Sequence, residues 1–585
     1  MAVTLQLVLL ALVALVALLG VAAVGAAPGR PHIVIILADD LGWNDVSFHG
    51  SDQIPTPNID ALAYNGIVLN NYYTQPMCTP SRAALLTGVH PIHTGMQHGV
   101  ILEPEPWGLP LDVPVMPQYL RGLGYRAHAV GKWHLGFFRA NYTPEARGFH
   151  SHFGLWNGYH DYYTHQTQGS FIDMDGYDMR RGMAVDWGSR GGYSTDLFTD
   201  EAVRVIRDHP VGDRAPPLFL YLAHLAPHAG NYEAPLQAPA EAIKAFGHIK
   251  DPERRVYAAM VSKLDESVGR VVAALQEQDM LSNSVIVFAS DNGAITSGLH
   301  PNKGSNWPLK GVKGGPWDGA VRVPACVWSP LLQRARRTSQ QLMHVTDWLP
   351  TLLAAAGAAP APGLALDGVN QWEALSAASG APRKEVLVNV DYRASGAGGY
   401  AALRLGDYKI VNGTALLGYQ DAWLGDSGLE EPAPGVDSVA LARSSGTARS
   451  LEAAGLPLAD GGVARGVRAA ARLRCGASRV EKDGFRFPEC RPLLAPCVFD
   501  LAVDPCERRN LYGTPLLPPD VRAALEARLA ALAATARPPR NEPSDLRADP
   551  AYWNNTWTNW ADLLDAADDG LPAMFQPRRR GSRWG

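Results

Sequence analysis

The sequence predicts an α/β fold: a large, mainly parallel or mixed sheet sandwiched by helices, with a smaller C-terminal α+β domain carrying an antiparallel sheet. Three observations predict it. Short apolar runs rich in β-branched and aromatic residues alternate with helical patterns through the first part of the chain, as in a parallel sheet covered on both faces. At 585 residues the chain is longer than one hydrophobic core usually organises. After about residue 385 the alternation stops, and strand-and-turn segments with one amphipathic helix replace it.

In chain order, residues 1–26 carry no charged side chain and close on Val24-Gly25-Ala26. That is the small-residue pattern of a cleaved secretory signal, with a retained signal anchor as the alternative. Past it no apolar run is long enough to span a bilayer, so no stable membrane insertion is expected. Residues 27–385 form the first, larger domain. In it HIVIIL (32–37) reads as a strand and PTPNIDALAYNG (55–66) as a helix with a glycine stop. YRAHAV (125–130), LFLYLA (218–223) and SVIVFAS (284–290) are further strands, and apolar spacing of three and four makes 254–278 a long helix.

Residues 386–585 form the second domain. GDYKIVNG (406–413) reads as an edge strand and turn, CVFDLAVDPCERRNLYG (497–513) as a strand and turn, and PDVRAALEARLAALAATA (519–536) as an amphipathic helix. Between them, about 415–474 is rich in Gly, Ala, Ser and Pro with little periodicity, and reads as a flexible segment. The closing QPRRRGSRWG reads as a solvated basic tail.

Composition is that of a globular protein, 46% hydrophobic and 19% charged, and the net charge of −5 argues against a nucleic-acid partner. It leaves room for an anionic substrate, because a few cations in one pocket outweigh a global balance. Three Asn-x-Ser/Thr sequons, at Asn141, Asn412 and Asn554, fit a glycosylated protein of the secretory route. That compartment allows disulfides among the six cysteines.

Ligands of parallel sheets sit beyond the carboxyl ends of the strands, and there the sequence places its chemistry. HIVIIL runs into Asp39 and Asp40, YRAHAV into Lys132 and His134, LFLYLA into His228, and SVIVFAS into Asp291 and Asn292. Taken singly these are ordinary: a helix N-cap, a solvated lysine, a packed histidine, an Asx turn. Together the three carboxylates and the amide oxygen form a hard oxygen set suited to Ca²⁺ or Mg²⁺ rather than zinc. Lys132 and His134, two apart, share one side of an extended segment. Lys313 lies in a Gly-rich loop. Cys78 precedes an Ala/Leu-rich run in CTPSRAALLTG, with Arg82 one turn on if a helix begins near Pro80. By itself Cys78 reads as a disulfide partner or inert thiol, a reactive thiolate, a zinc ligand or a modification site.

CTPSRAALLTG matches the sulfatase signature Cys-x-Pro-Ser-Arg-x-x-x-Leu-Thr-Gly at every fixed position, and ADDLGWND, GKWHLG and DNG stand in that family's order. The chain therefore resembles the sulfatases, of the alkaline-phosphatase-like superfamily, over about residues 31–415. NNYYTQPMCTPSR, GLWNGYHDYYTH, NWPLKG and HVTDWLPTLL resemble the arylsulfatase B, or N-acetylgalactosamine-4-sulfatase, branch.

The resemblance implies that residues 27–385 are catalytic and that Cys78 is oxidised to formylglycine, whose gem-diol is the nucleophile. It implies one Ca²⁺ held by Asp39, Asp40, Asp291, Asn292 and residue 78. Arg82 would steady the diol and the ion site, and His134 would take the proton as the aldehyde re-forms. Lys132 and Lys313 would bind sulfate oxygens, and His228 with Lys313 would assist the leaving oxygen. The implied function is hydrolysis of sulfate monoesters on glycosaminoglycans, other glycans or small aryl sulfates. The formylglycine-generating enzyme is the implied partner in biosynthesis, and the destination is lysosomal or secreted. A phosphoester hydrolase of the same superfamily, or a non-catalytic binding protein of the same fold, are the alternatives.

The sequence departs from the branch in one respect. Cysteines usual between the modification motif and GKWHLG, and after GLWNGYHDYYTH, are missing. The remaining cysteines lead to the expectation of Cys497–Cys506 and Cys475–Cys490 bridges, with Cys326 a buried free thiol.

Overall fold

The computed structural model describes residues 29–566 apart from 213, 299, 360–364, 393–398 and 476–485. The signal reading at 1–26 and the basic tail lie outside the described residues.

Eighteen strands are formed among the described residues. In chain order they are β1 (His32–Ala38), β2 (Ile67–Leu69), β3 (Tyr72–Tyr73), β4 (Arg126–Gly131), β5 (Ser151–Gly154), β6 (Gln166–Gln168), β7 (Asp175–Tyr177), β8 (Arg180–Arg181) and β9 (Ala184–Val185). Then follow β10 (Leu218–Ala223), β11 (Ser284–Ser290), β12 (Ala325–Trp328), β13 (Arg337–Ser339), β14 (Met343–His344), β15 (Glu385–Asp391), β16 (Tyr400–Leu405), β17 (Tyr408–Gly413) and β18 (Cys497–Asp500).

Ten of them make one mixed sheet in the order β13-β2-β12-β11-β1-β10-β4-β5-β8-β9. Its centre, β11-β1-β10-β4, is wholly parallel, with Ile35 opposite both Tyr221 and Val287. These strands are continuous apolar runs because both faces are covered. On β1, Val34 and Ile36 enter one core while Ile33, Ile35 and Leu37 enter the other, and β10 and β11 alternate the same way.

Helices 57–65, 194–207 and 252–277 contribute to the first core, and helices 78–87 and 348–355 to the second. Helix 252–277 starts on Asp251, whose carboxylate accepts the N–H groups of Glu253 and Arg254, with Pro252 in its first turn.

A separate antiparallel sheet, β15-β16-β17-β18, begins at Glu385. Here β17 is an interior strand rather than the edge its sequence suggested, because β18 pairs along its other side. Lys409 of β17 fastens this sheet to the larger one. Its ammonium lies 2.8 Å from Asp318 and 2.7 Å from Glu507, all three fully buried.

Two further readings of the second section are corrected. The segment read as flexible carries helices 438–443, 446–453 and 461–471. They bury Val439, Leu451, Ala464 and Val467 in the core that helices 57–65 and 252–277 also line. Caps at Asp437, Ser445 and Asp460 start them, so short Ala/Gly-rich sequence folds here through docking. The bridges are Cys475–Cys506 and Cys490–Cys497, the opposite pairing of the four cysteines. The turn after β18 carries Cys506 away from Cys497, whose neighbour across space is Cys490. Cys326 is free and buried, as expected.

Candidate active site

All the predicted polar groups collect at the carboxyl ends of the four central parallel strands. β1 ends at Ala38, and Asp40 then adopts the left-handed region at φ +60°. That break in the extended chain lets adjacent carboxylates serve one point: the Cys78 sulfur lies 3.3 Å from Asp39 Oδ1 and 4.0 Å from Asp40 Oδ1. Cys78 is the first residue of helix 78–87, behind an extended Met77. Its thiol pKa is pushed well up, first by burial and then by Asp39. As a thiol it is therefore a poor nucleophile, since the reactive form is the thiolate.

One turn on, Arg82 is fully buried. Its Nε and Nη2 donate to Asp291 Oδ2 at 3.0 and 2.8 Å, and Nη1 donates to the Lys132 carbonyl at 3.1 Å. Lys132, beyond β4, places its ammonium 2.5 Å from Asp39 Oδ2. Lys313 reaches Asp40 from its loop at 2.7 and 2.9 Å. Burial alone would lower the Lys313 pKa, but Asp40 and its neighbours outweigh burial and hold it above its ordinary value. Asp291 is raised by burial and Asp39, against Arg82.

The two histidines have assigned tautomers because each faces a carbonyl, which can only accept. His134 donates Nε2–H to the Ile101 carbonyl at 2.9 Å, which leaves Nδ1 with a buried lone pair and no partner among the described residues. Its pKa is held well below the ordinary value by burial and by Lys132. It too sits at positive φ, +58°, so the extended segment expected for 132–134 bends at this residue. His134 packs on bare backbone, because a Cβ on Gly158 would come within 2.7 Å of the ring. His228 donates Nδ1–H to the Ala229 carbonyl at 2.6 Å, and its Nε2 faces Asp40 Oδ2 at 3.5 Å. Burial, then Lys313 and Lys132, keep it neutral.

Asn292 donates to Asp40 Oδ1 at 2.6 Å and to the Gly293 carbonyl at 2.9 Å. Its own Oδ1 is buried without a partner among the described residues. An orphaned amide oxygen beside the Asp39, Asp40 and Asp291 carboxylates suits a hard divalent cation. The charges agree with this. The three carboxylates are balanced by Arg82, Lys132 and Lys313, so a bound divalent ion would leave an excess of two positive charges. An anionic sulfate ester and one ionised nucleophile oxygen would neutralise that excess.

Sequence reading missed two residues here. Asn302 donates to the Asp40 carbonyl at 2.9 Å and to the Pro227 carbonyl at 3.1 Å, tying two strand ends together. His300 sets its ring 5.6 Å from that of His228. Both come from an irregular loop, where neither periodicity nor a following strand gives a signal.

The family model described as Sulfatase matches residues 31–358. Arylsulfatase J of Mus musculus is 41% identical over 411 residues, covering 68% of this chain and 66% of that protein. N-acetylgalactosamine-6-sulfatase of Homo sapiens is 32% identical over 356 residues, covering 59% of this chain and 65% of that protein. The chain thus spans just under two thirds of the length of these relatives.

Among solved structures, Ps i-CgsB in complex with k-i-k-neocarrahexaose superposes with a TM-score of 0.58 at 33% identity, over 65% of this chain and 84% of that one. The PsFucS1 sulfatase from Pseudoalteromonas sp. gives 0.58 at 22% identity over 88% and 92%, a likeness of fold.

Proposed function

Because the chain belongs to the sulfatase family, by the match over residues 31–358, we propose that it hydrolyses sulfate monoesters, with residue 78 acting as formylglycine rather than as cysteine. The observation that carries this reading is the setting of Cys78. It sits at a helix N-terminus with its sulfur 3.3 and 4.0 Å from Asp39 and Asp40, among three carboxylates and three cations. Such surroundings suit an oxygen nucleophile on a hard cation attacking an anion.

Asp39, Asp40, Asp291 and Asn292 would hold Ca²⁺ with residue 78. When bound, the ion supplies the positive charge that lowers the pKa of the nucleophilic hydroxyl and draws in the sulfate. The hydrated aldehyde at residue 78 supplies one hydroxyl to attack sulfur and a second through which sulfate is afterwards released.

The chain's own residues do the rest. Lys132 and Lys313, ammonium groups on Asp39 and Asp40, are placed to exchange carboxylate oxygens for sulfate oxygens. Arg82 holds Asp291 and the backbone of Lys132 in register beneath them. His134 presents its free Nδ1 lone pair as the base for the second hydroxyl. At Asp40 the Lys313 ammonium supplies the proton the departing alkoxide takes, with the neutral His228 beside it to assist the leaving oxygen.

The substrate class we propose is a sulfated glycan, glycosaminoglycans included, with small aryl sulfates as artificial substrates. The N-acetylgalactosamine-4-sulfatase specificity is carried only by the sequence resemblance, so 4- and 6-sulfated N-acetylgalactosamine belong in one assay panel. A secretory route, ending in lysosomes or outside the cell, is supported by the exposure of all three sequon asparagines, Asn141, Asn412 and Asn554.

Peptide mass spectrometry of the secreted protein tests the proposal. Residue 78 should be found as formylglycine, lighter than cysteine, and the protein should release sulfate from the panel. Unmodified cysteine in protein from cells with an active modifying enzyme would sink it.

A further inference from the structure

A groove of about 730 Å³ opens where the loops after β2 and β13 meet the β16–β17 turn and the end of helix 461–471. Its charge is one-sided. Arg322, Arg383, Lys384, Arg404, Arg472 and Arg474 line it against a single carboxylate, Asp407, on a chain whose net charge is −5.

Half of these cations have internal duties. Arg322 faces Asp318, Arg383 is paired with Asp347, and Arg404 donates to the Tyr73 hydroxyl. Lys384, Arg472 and Arg474 are exposed and have no carboxylate partner among the described residues. Three unpaired cations beside one exposed acid give a local positive excess that the global charge does not explain.

The wall adds a second observation. Asn70 is 2% exposed, and its Oδ1 has no hydrogen-bond partner among the described residues, while its Nδ2 donates to Gln340 at 3.1 Å. A buried acceptor without a donor is costly, and this one belongs to a residue of the groove's own lining. No aromatic ring is among the residues lining the groove. Single-stranded nucleic acids are held by stacking on such rings. A sulfated sugar offers anions and hydroxyls together and needs no ring.

The position is as informative as the chemistry. β2 runs antiparallel to β12, which runs antiparallel to β11, so Asn70 leaves the sheet on the same edge as Asp291. Two strand spacings separate β2 from β11, about 10 Å.

We propose that this groove is a second binding site, for an outlying stretch of a sulfated glycan chain whose other part occupies the catalytic site. The inference rests on the sulfatase reading for its ligand class. Occupancy of the groove would raise the effective concentration of the chain at the catalytic site, so it would act on long substrates and leave short ones unaffected.

The test is the triple variant Lys384→Glu/Arg472→Glu/Arg474→Glu in the full chain, with the glutamine triple as a milder companion. Retention on immobilised chondroitin sulfate and heparin should fall to lower salt in both variants, further for glutamate. KM for a polymeric sulfated glycan should rise about tenfold, while kcat/KM for a small aryl sulfate stays within about twofold. Unchanged retention, or an equal loss on the aryl sulfate, would overturn the proposal. Groove-dependent retention of single-stranded DNA as strong as that of a glycan of equal charge would overturn the ligand class. Retention is also measured in the Cys78→Ser background. Groove-dependent retention should persist there although turnover is lost, and absence of sulfatase activity from the parent chain with retention intact would count against the catalytic reading alone and uphold the groove.

Discussion

The substitution Lys409→Met removes the cation that joins the two sheets. The Lys409 ammonium lies 2.8 Å from Asp318 Oδ1 and 2.7 Å from Glu507 Oε1, with all three side chains buried. Methionine keeps most of the volume, so the change isolates charge. It strands two carboxylates whose nearest remaining cation is Arg322, 3.7 Å from Asp318. Breaking a buried ion pair from one side costs about 3–5 kcal/mol.

The loss should depend on pH. Burial, opposed by Lys409, already holds the Glu507 carboxyl at about 7, above its ordinary 4.5. A carboxyl raised on folding contributes stability that is complete below pH 4.5 and is lost as pH rises through 7, at most about 3 kcal/mol for that gap. Without Lys409 the folded value moves higher still. At pH 5, where Glu507 is protonated in both, the variant loses only the pairing with the still-ionised Asp318, and at pH 8 it strands both carboxylates and carries the larger penalty.

With about 2.1 cal/mol/K of unfolding entropy per residue, such a loss lowers the midpoint of a cooperatively unfolding 585-residue chain by roughly 2–4 °C. Scanning calorimetry at both pH values measures it, and adding Glu507→Gln should recover part of the loss at pH 8. A shift below about 1 °C at pH 8, or one of equal size at both pH values, would refute the reasoning.

Three further outcomes are expected. His134→Ala should lower kcat on an aryl sulfate by about 10²–10⁴-fold with KM changed only a few-fold, because it removes a base and no sulfate contact; steady-state kinetics separate the two. Stripping divalent ions with a chelator should abolish turnover and lower the thermal midpoint, with Ca²⁺ restoring both in the parent chain and neither in Asn292→Ala, as calorimetry and sulfate release would record. Non-reducing digestion followed by mass spectrometry should recover peptides joined through Cys475–Cys506 and Cys490–Cys497, and any Cys497–Cys506 peptide would contradict the fold of the smaller sheet.

What the sequence alone determined was local and repetitive. LFLYLA and SVIVFAS give β10 and β11 residue for residue, since a strand buried on both faces writes itself as an unbroken apolar run. Asp39, Lys132, His228 and Asp291 were legible as a group because each follows such a strand, and Cys78 because a linear motif marks it.

What only the tertiary structure decided was adjacency. That β11, β1, β10 and β4 are neighbours comes from crossovers spanning scores of residues, which no local pattern encodes. The helices of 438–471 are too short and too Ala/Gly-rich to signal themselves, and they exist because a core accepts Val439, Leu451 and Val467. The cysteine pairing turned on which thiols meet in space rather than in sequence. Nothing beside Lys409 in the sequence marks it, and its partners Asp318 and Glu507 stand 91 and 98 residues away. Composition and periodicity fix what a segment does to its own backbone; a buried charge or a shared edge is decided by the partner that folding delivers.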